Sequence, residues 1–171
     1  MKNVYVAGPF RRPQDLARGK DVAQSVYDTI REEGQRARVT VLIPTPDSEL
    51  DKMNPTELVE AIRRRITSAD GVISVIVLSA SAQDGRDASE REHSTGIGPA
   101  AAGIEAAFAA TERKKQLVVV DGIEQAPRML KGLPGVVSLV EASNIDEIRM
   151  AVRQFLESES SPLEGKAGAA A

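Results

Sequence analysis

Short runs of β-branched residues alternate along this chain with stretches in which apolar residues recur every three or four positions, and few folds accept that alternation. Asn3 to Ala7, Arg38 to Ile43, Gly71 to Leu78, Gln116 to Asp121 and Gly135 to Val140 read as strands. Between them, helical spacing picks out Leu16, Val22, Ala23, Val26, Tyr27 and Ile30, with Gly34 expected to stop that helix. Leu58, Ile62 and Ile66 share a face behind Asn54-Pro55-Thr56-Glu57, which supplies a cap, a first-position proline and an acid at N3. A further helix is expected from about Ile104 to Arg113, and Ser143 opens a closing one through Ile148, Val152 and Phe155. The third run is rich enough in Val and Ile to be buried on both faces.

Strands separated by helices imply an α/β fold: a doubly wound, five-stranded parallel sheet with helices on both faces, in the flavodoxin-like (Rossmann-like) order 2-1-3-4-5. With 171 residues, 42% of them apolar, the chain is expected to form one domain over 1–157. Residues 158–171, rich in Ser, Gly and Ala, read as a flexible tail. A formal net charge of −3 gives no global field for nucleic acid or an anionic membrane. No cysteine and a single histidine exclude disulfides and the usual soft metal sites within one chain, so neither metal nor cofactor is implied. Chemistry should rest on carboxylates, hydroxyls, arginines and backbone. No apolar run reaches the roughly 18 residues of a bilayer span, and the N-terminus lacks a signal-peptide pattern. A cytoplasmic location is the expectation.

Three features point toward a site. The first strand runs into Gly8-Pro9-Phe10 and the pair Arg11 and Arg12. In open α/β sheets ligands sit outside the carboxyl ends of strands, where glycine admits close backbone approach and guanidinium groups hold phosphate bidentately. A buried edge strand with a solvated loop fits the same residues equally well. The second feature is the polar connection from Ser79 to Gly98, longer than such loops need, which reads as a lid or as a surface insertion. Its end, Gly96-Ile97-Gly98-Pro99-Ala100-Ala101, mimics a dinucleotide fingerprint but does not follow the first strand, so it carries no argument for NAD. The third is Glu105, whose helical neighbours Ala101, Ala102, Phe108 and Ala109 form an apolar face. A carboxylate there must be salt-bridged, exposed at the sheet edge or placed for chemistry, and desolvation would raise its pKa.

Tyr5-Val6-Ala7-Gly8-Pro9-Phe10, Ala69-Asp70-Gly71-Val72-Ile73, and Glu105-Ala106-Ala107-Phe108-Ala109 with Lys114 ahead of Leu117-Val118-Val119-Val120 resemble the nucleoside 2-deoxyribosyltransferase superfamily. The resemblance spans about residues 3 to 156, and Arg11 to Asp15 looks most like the branch that hydrolyses the N-glycosidic bond of nucleoside 5'-monophosphates. It implies a glutamate that attacks the anomeric carbon through an oxocarbenium-like transition state, the intermediate being resolved by water or by another base. Glu105 is that residue by position, with Tyr5 orienting it; a core tyrosine is the other reading of Tyr5. Asp70 completes the implied catalytic set. Gly8, Pro9, Phe10, Arg11, Ser94, Gly96, Gly98 and Arg128 are the implied substrate-binding residues.

The implied partners are a small nucleotide and a second copy of the chain, in a homodimer or larger assembly. The segment Gln125-Ala126-Pro127-Arg128-Met129 would cross that interface, with Arg128 closing over phosphate or remaining a surface charge. Three departures from the family pattern stand out. The position of the family's base-handling aspartate is Ile62, which leaves Glu60, Asp84 and Asp87 as candidates for that task. Pro99 to Gly103 intervene between the phosphate-binding turn, read at Ser94, and Glu105. Arg63-Arg64-Arg65 has no family counterpart and reads as a solvated helix face.

Overall fold

The computed structural model describes residues 1–8, 22–43, 49–76, 99–124 and 126–158. Strands β1 (Asn3–Ala7), β2 (Thr40–Leu42), β3 (Gly71–Ile76), β4 (Lys115–Val120) and β5 (Val136–Glu141) form one sheet in the order β2-β1-β3-β4-β5. Every pairing is parallel. Helices α1 (Val22–Ala37), α2 (Pro55–Ser68), α3 (Pro99–Thr111), α4 (Arg128–Lys131) and α5 (Ile145–Glu157) complete a flavodoxin-like α/β fold, as the alternation in the sequence implies. Among the described residues no helix is long and apolar enough to cross a membrane.

Strand alternation divides the core into two layers. Val4 and Val6 of β1 point with Ile73 and Val75 of β3 toward α1 and α5, where Val26, Ile30, Ile148 and Val152 are buried. Tyr5 and Ala7 point the other way with Val72, toward Ile62 and Ile66 of α2 and Ala109 of α3. The second layer is thinner because α3 is built largely of alanine.

Helix α2 begins as its sequence requires: the Asn54 side chain accepts from the Thr56 and Glu57 N–H groups, and Glu57 accepts from the Asn54 N–H. Three boundaries correct the sequence reading. Gly34 does not stop α1, which continues to Ala37. A Cβ at Gly34 would run into Cγ2 of Val41, so the glycine lets the helix lie close on β2. Termination falls instead to Arg38, whose φ of 56° is left-handed. Likewise, α3 starts at Pro99 rather than near Ile104, so Pro99 to Gly103 is helix and not an inserted stretch of turn. The cap of α5 is Asn144, not Ser143. Leu16, the connection from Ser79 to Gly98 and the tail beyond Ser158 lie outside the described residues.

An ion cluster around the buried Glu33, made with solvent-exposed arginines, joins α1 to α5. The Glu33 carboxylate accepts from Arg36 Nη1 at 2.8 Å and from Arg153 Nε and Nη2 at 3.1 and 3.3 Å, with Arg149 Nε at 3.7 Å. The Arg153 hydrogen bonds, helped by the surrounding positive charge, hold its pKa below the ordinary carboxylate value against the opposing effect of burial. A depressed folded pKa means that this stabilisation is fully present above the unfolded value of about 4.3 and is lost as pH falls through the folded one. Glu33→Gln should therefore lower the neutral-pH melting temperature by roughly 3–6 °C, the counterpart of about 1–2 kcal/mol for charge-assisted hydrogen bonds. The gap between the thermal melts of variant and wild type should narrow as the pH falls below the ordinary glutamate value; a gap unchanged by acid would assign the effect to packing.

Candidate active site

The sheet-facing stripe of α3 is Ala102, Glu105, Ala106 and Ala109, the i, i+3, i+4, i+7 positions of one helical face, and all four are buried. Three methyl groups let the helix approach the sheet, and the fourth member is a carboxylate only 2% exposed. Tyr5 rises from β1 to meet it: the phenol donates to Glu105 Oε2 at 3.1 Å. Glu105 Oε1 has no hydrogen-bond partner. Among the described residues the carboxyl has no salt bridge, and it is not exposed, which speaks against two of its three expected fates.

The electrostatics follow from this burial. Desolvation pushes the Glu105 pKa up to about 7, with the Tyr5 hydrogen bond partly offsetting it. Burial and the adjacent carboxylate push the Tyr5 hydroxyl above its ordinary range, so Tyr5 remains a donor throughout the neutral region. A carboxyl poised near neutrality, with one oxygen held and the other unpaired, is equipped for nucleophilic or acid–base work.

The other sequence candidates fall into different places. Asp70 does not join Tyr5 and Glu105. It sits at the amino-terminal edge of the sheet, where its Oδ2 accepts from the backbone N–H groups of Lys2 and Asn3 at 2.6 and 3.0 Å and latches β1 to β3. Those backbone donors hold its pKa below the usual carboxylate value. Gly8 lies at the carboxyl end of β1, but the space a Cβ would need is taken by the Tyr27 hydroxyl, with Val75 Cβ at 3.2 Å. Arg128 opens α4 and is exposed, as is Met129 beside it at 82%. Pro9, Phe10, Arg11, Gln125, Ser94, Gly96 and Gly98 lie outside the described residues, as do Asp84 and Asp87.

Ile62 is core, packed in the layer that holds Tyr5. Glu60 is no substitute acid for this pair: it is exposed on α2, with its carboxylate 4.0 Å from the Arg64 guanidinium. Arg63, from the same arginine run, bridges to Glu112 at 3.3 Å and ties α2 to the end of α3. The sequence assigned no role to two polar residues. Lys114 donates to the carbonyls of Thr67 and Ala69, both at 2.7 Å, and so closes the end of α2. Ser74, fully buried in β3, has a hydroxyl with no partner, and its only signal was one polar side chain inside Gly-Val-Ile-Ser-Val-Ile.

No family model matches the chain, and no curated protein sequence matches it. Its similarity is to solved structures. A CMP N-glycosidase from Clostridium botulinum, BcmB, superposes with a TM-score of 0.54 at 15% identity, covering 90% of this chain and 99% of that one. A 2-deoxyribosyltransferase from Bacillus psychrosaccharolyticus gives 0.50 at 14% identity, with 86% and 90% covered. At such identities the likeness establishes a shared fold.

Replacing Tyr5 by phenylalanine isolates its effect on the carboxyl. Glu105 then loses the hydrogen bond that favours its charged form, and its pKa should rise above the value of about 7 by roughly one unit or more. A carbon-13 NMR titration of labelled glutamate reads this directly. A downward shift would contradict the arrangement.

Proposed function

We propose that this chain hydrolyses the N-glycosidic bond of a nucleoside 5'-monophosphate, with Glu105 as nucleophile and Tyr5 as the residue that orients it. The observation carrying this reading is the buried Tyr5–Glu105 contact, with its half-satisfied carboxyl. The Glu105 carboxylate attacks C1' from the face opposite the base; the C1'–N bond breaks, and its electron pair leaves with the base nitrogen, which takes up a proton. Water then attacks C1' of the glycosyl ester, releasing (deoxy)ribose 5-phosphate, a proton and the free carboxylate. Gly8, Pro9, Phe10, Arg11, Ser94, Gly96 and Gly98 are proposed to hold the sugar phosphate, with Arg128 of a second copy closing over it in a homodimer. Asp70 keeps the structural task described above.

The likeness to a CMP N-glycosidase supports hydrolysis, and the likeness to a 2-deoxyribosyltransferase supports a second reading in which another base replaces water in the second step. Incubation with CMP, the other common nucleoside 5'-monophosphates and the corresponding nucleosides, followed by chromatography of the free base, separates them. Hydrolysis predicts base release from monophosphates far faster than from nucleosides, because a charge-assisted contact to the phosphate outweighs a hydroxyl contact. Release from nucleosides that requires an acceptor base would establish transfer. Tight nucleotide binding without release would leave a binding module.

A further inference from the structure

The unpaired hydroxyl of Ser74 and the unpaired oxygen of Glu105 lie in the same layer of the core. Ala109 belongs to the same buried cluster as Tyr5 and Val72, which are register partners on β1 and β3. Helix α3 returns from β3 to the parallel strand β4 and so runs against the strands. One helical turn before Ala109 is Glu105, about 6 Å nearer the carboxyl edge of the sheet. Two residues beyond Tyr5 and Val72 are Ala7 and Ser74, also register partners on the same face, about 6.6 Å nearer that edge. Ser74 and Glu105 are therefore level with one another, and Tyr5, on the same face of the sheet as Ser74, reaches the carboxyl. A buried polar group without a partner is unfavourable, and valine would have continued the surrounding run.

We infer that Ser74 Oγ and Glu105 Oε1 together hold the 2'-hydroxyl of a ribonucleotide, and that Ser74 is a specificity residue favouring ribose over 2'-deoxyribose. This rests on the proposed glycosidase reading. The stereochemistry is suited to it. The base of a β-nucleotide leaves from one face of the sugar, so the attacking carboxylate lies on the other, and the ribose 2'-hydroxyl projects to that same face. The hydroxyl donates to Glu105 Oε1 and accepts from Ser74, a contact that strengthens as charge develops at C1'. A deoxyribonucleotide would leave both oxygens unpaired.

The test is kcat/KM for the common ribonucleoside 5'-monophosphates and their 2'-deoxy counterparts with wild type and Ser74→Ala, alongside thermal melts. Wild type is expected to prefer the ribonucleotide. The variant should lose roughly three- to tenfold on ribonucleotides, the worth of one hydrogen bond, and little on deoxyribonucleotides, while melting no lower than wild type. Ser74→Cys, which keeps the volume and weakens the donor, should move the ratio in the same direction. An unchanged ratio, or equal losses on both sugars, would overturn the role of Ser74 while leaving the glycosidase reading intact. Base release from no nucleotide of either series would overturn both.

Discussion

Glu105→Gln should fold normally and lose at least about two orders of magnitude in the rate of base release. The amide is nearly isosteric and can still accept the Tyr5 hydrogen bond, so the layer between α3 and the sheet should be undisturbed. It cannot form the glycosyl ester or balance an oxocarbenium charge, and the loss of a covalent catalyst is of at least this size. In wild type the ionised carboxyl is the active form, so kcat/KM should rise with pH through about 7 and then level off. Initial rates by chromatography and far-UV circular dichroism check the two halves together. A variant that keeps its rate removes Glu105 from the chemistry.

The same substitution should stabilise the protein in alkali. The folded pKa of Glu105 is raised to about 7 by burial, against about 4.3 for an unfolded glutamate. Between those values the native state holds a proton that the unfolded chain has released, so stability falls as pH rises through that window and stays reduced above it. At about 1.4 kcal/mol per pH unit the accumulated cost at pH 8 is on the order of 3 kcal/mol. Glutamine carries no such cost. Urea melts should show Glu105→Gln the more stable protein at pH 8 by that order, with the two curves meeting near pH 4. Equal stability at both pH values would mean that the carboxyl is better solvated than its burial indicates.

Local rules made much of this molecule legible from sequence. The Asn54 capping box, the Val- and Ile-rich strands and the helical spacing of Ile148, Val152 and Phe155 each act within a few residues, and each stands where the spacing predicts. Gly34 misled because its duty is set by Val41, across a turn and on another element; no local rule distinguishes a close-approach glycine from a stop. Pro99 to Gly103 misled for a related reason, since alanine and glycine look like turn material until Ala102 packs on the sheet.

The candidate site shows the same division. Glu105 stood out because its helical face was otherwise apolar, whereas Tyr5, a hundred residues away in sequence, was implied as its partner only by the family resemblance; the structure shows the two hydrogen-bonded. Asp70 lay beside a strand start, which says nothing about which end of the sheet holds the chemistry; its bonds to Lys2 and Asn3 place it at the far edge. Ser74 was hidden because a single hydroxyl in a buried strand acquires meaning only from the register that sets it beside Ala7, on the face that Tyr5 shares.

The most direct measurement of the central claim, attack by Glu105 on C1', is the anomeric configuration of the product formed in aqueous methanol, where the methyl glycoside cannot mutarotate. Two displacements at C1' retain configuration, so proton NMR should show the β-methyl glycoside 5-phosphate alongside free base with wild type, and neither product with Glu105→Gln. Formation of the α-methyl glycoside would mean a single displacement by solvent and would contradict a covalent role for Glu105.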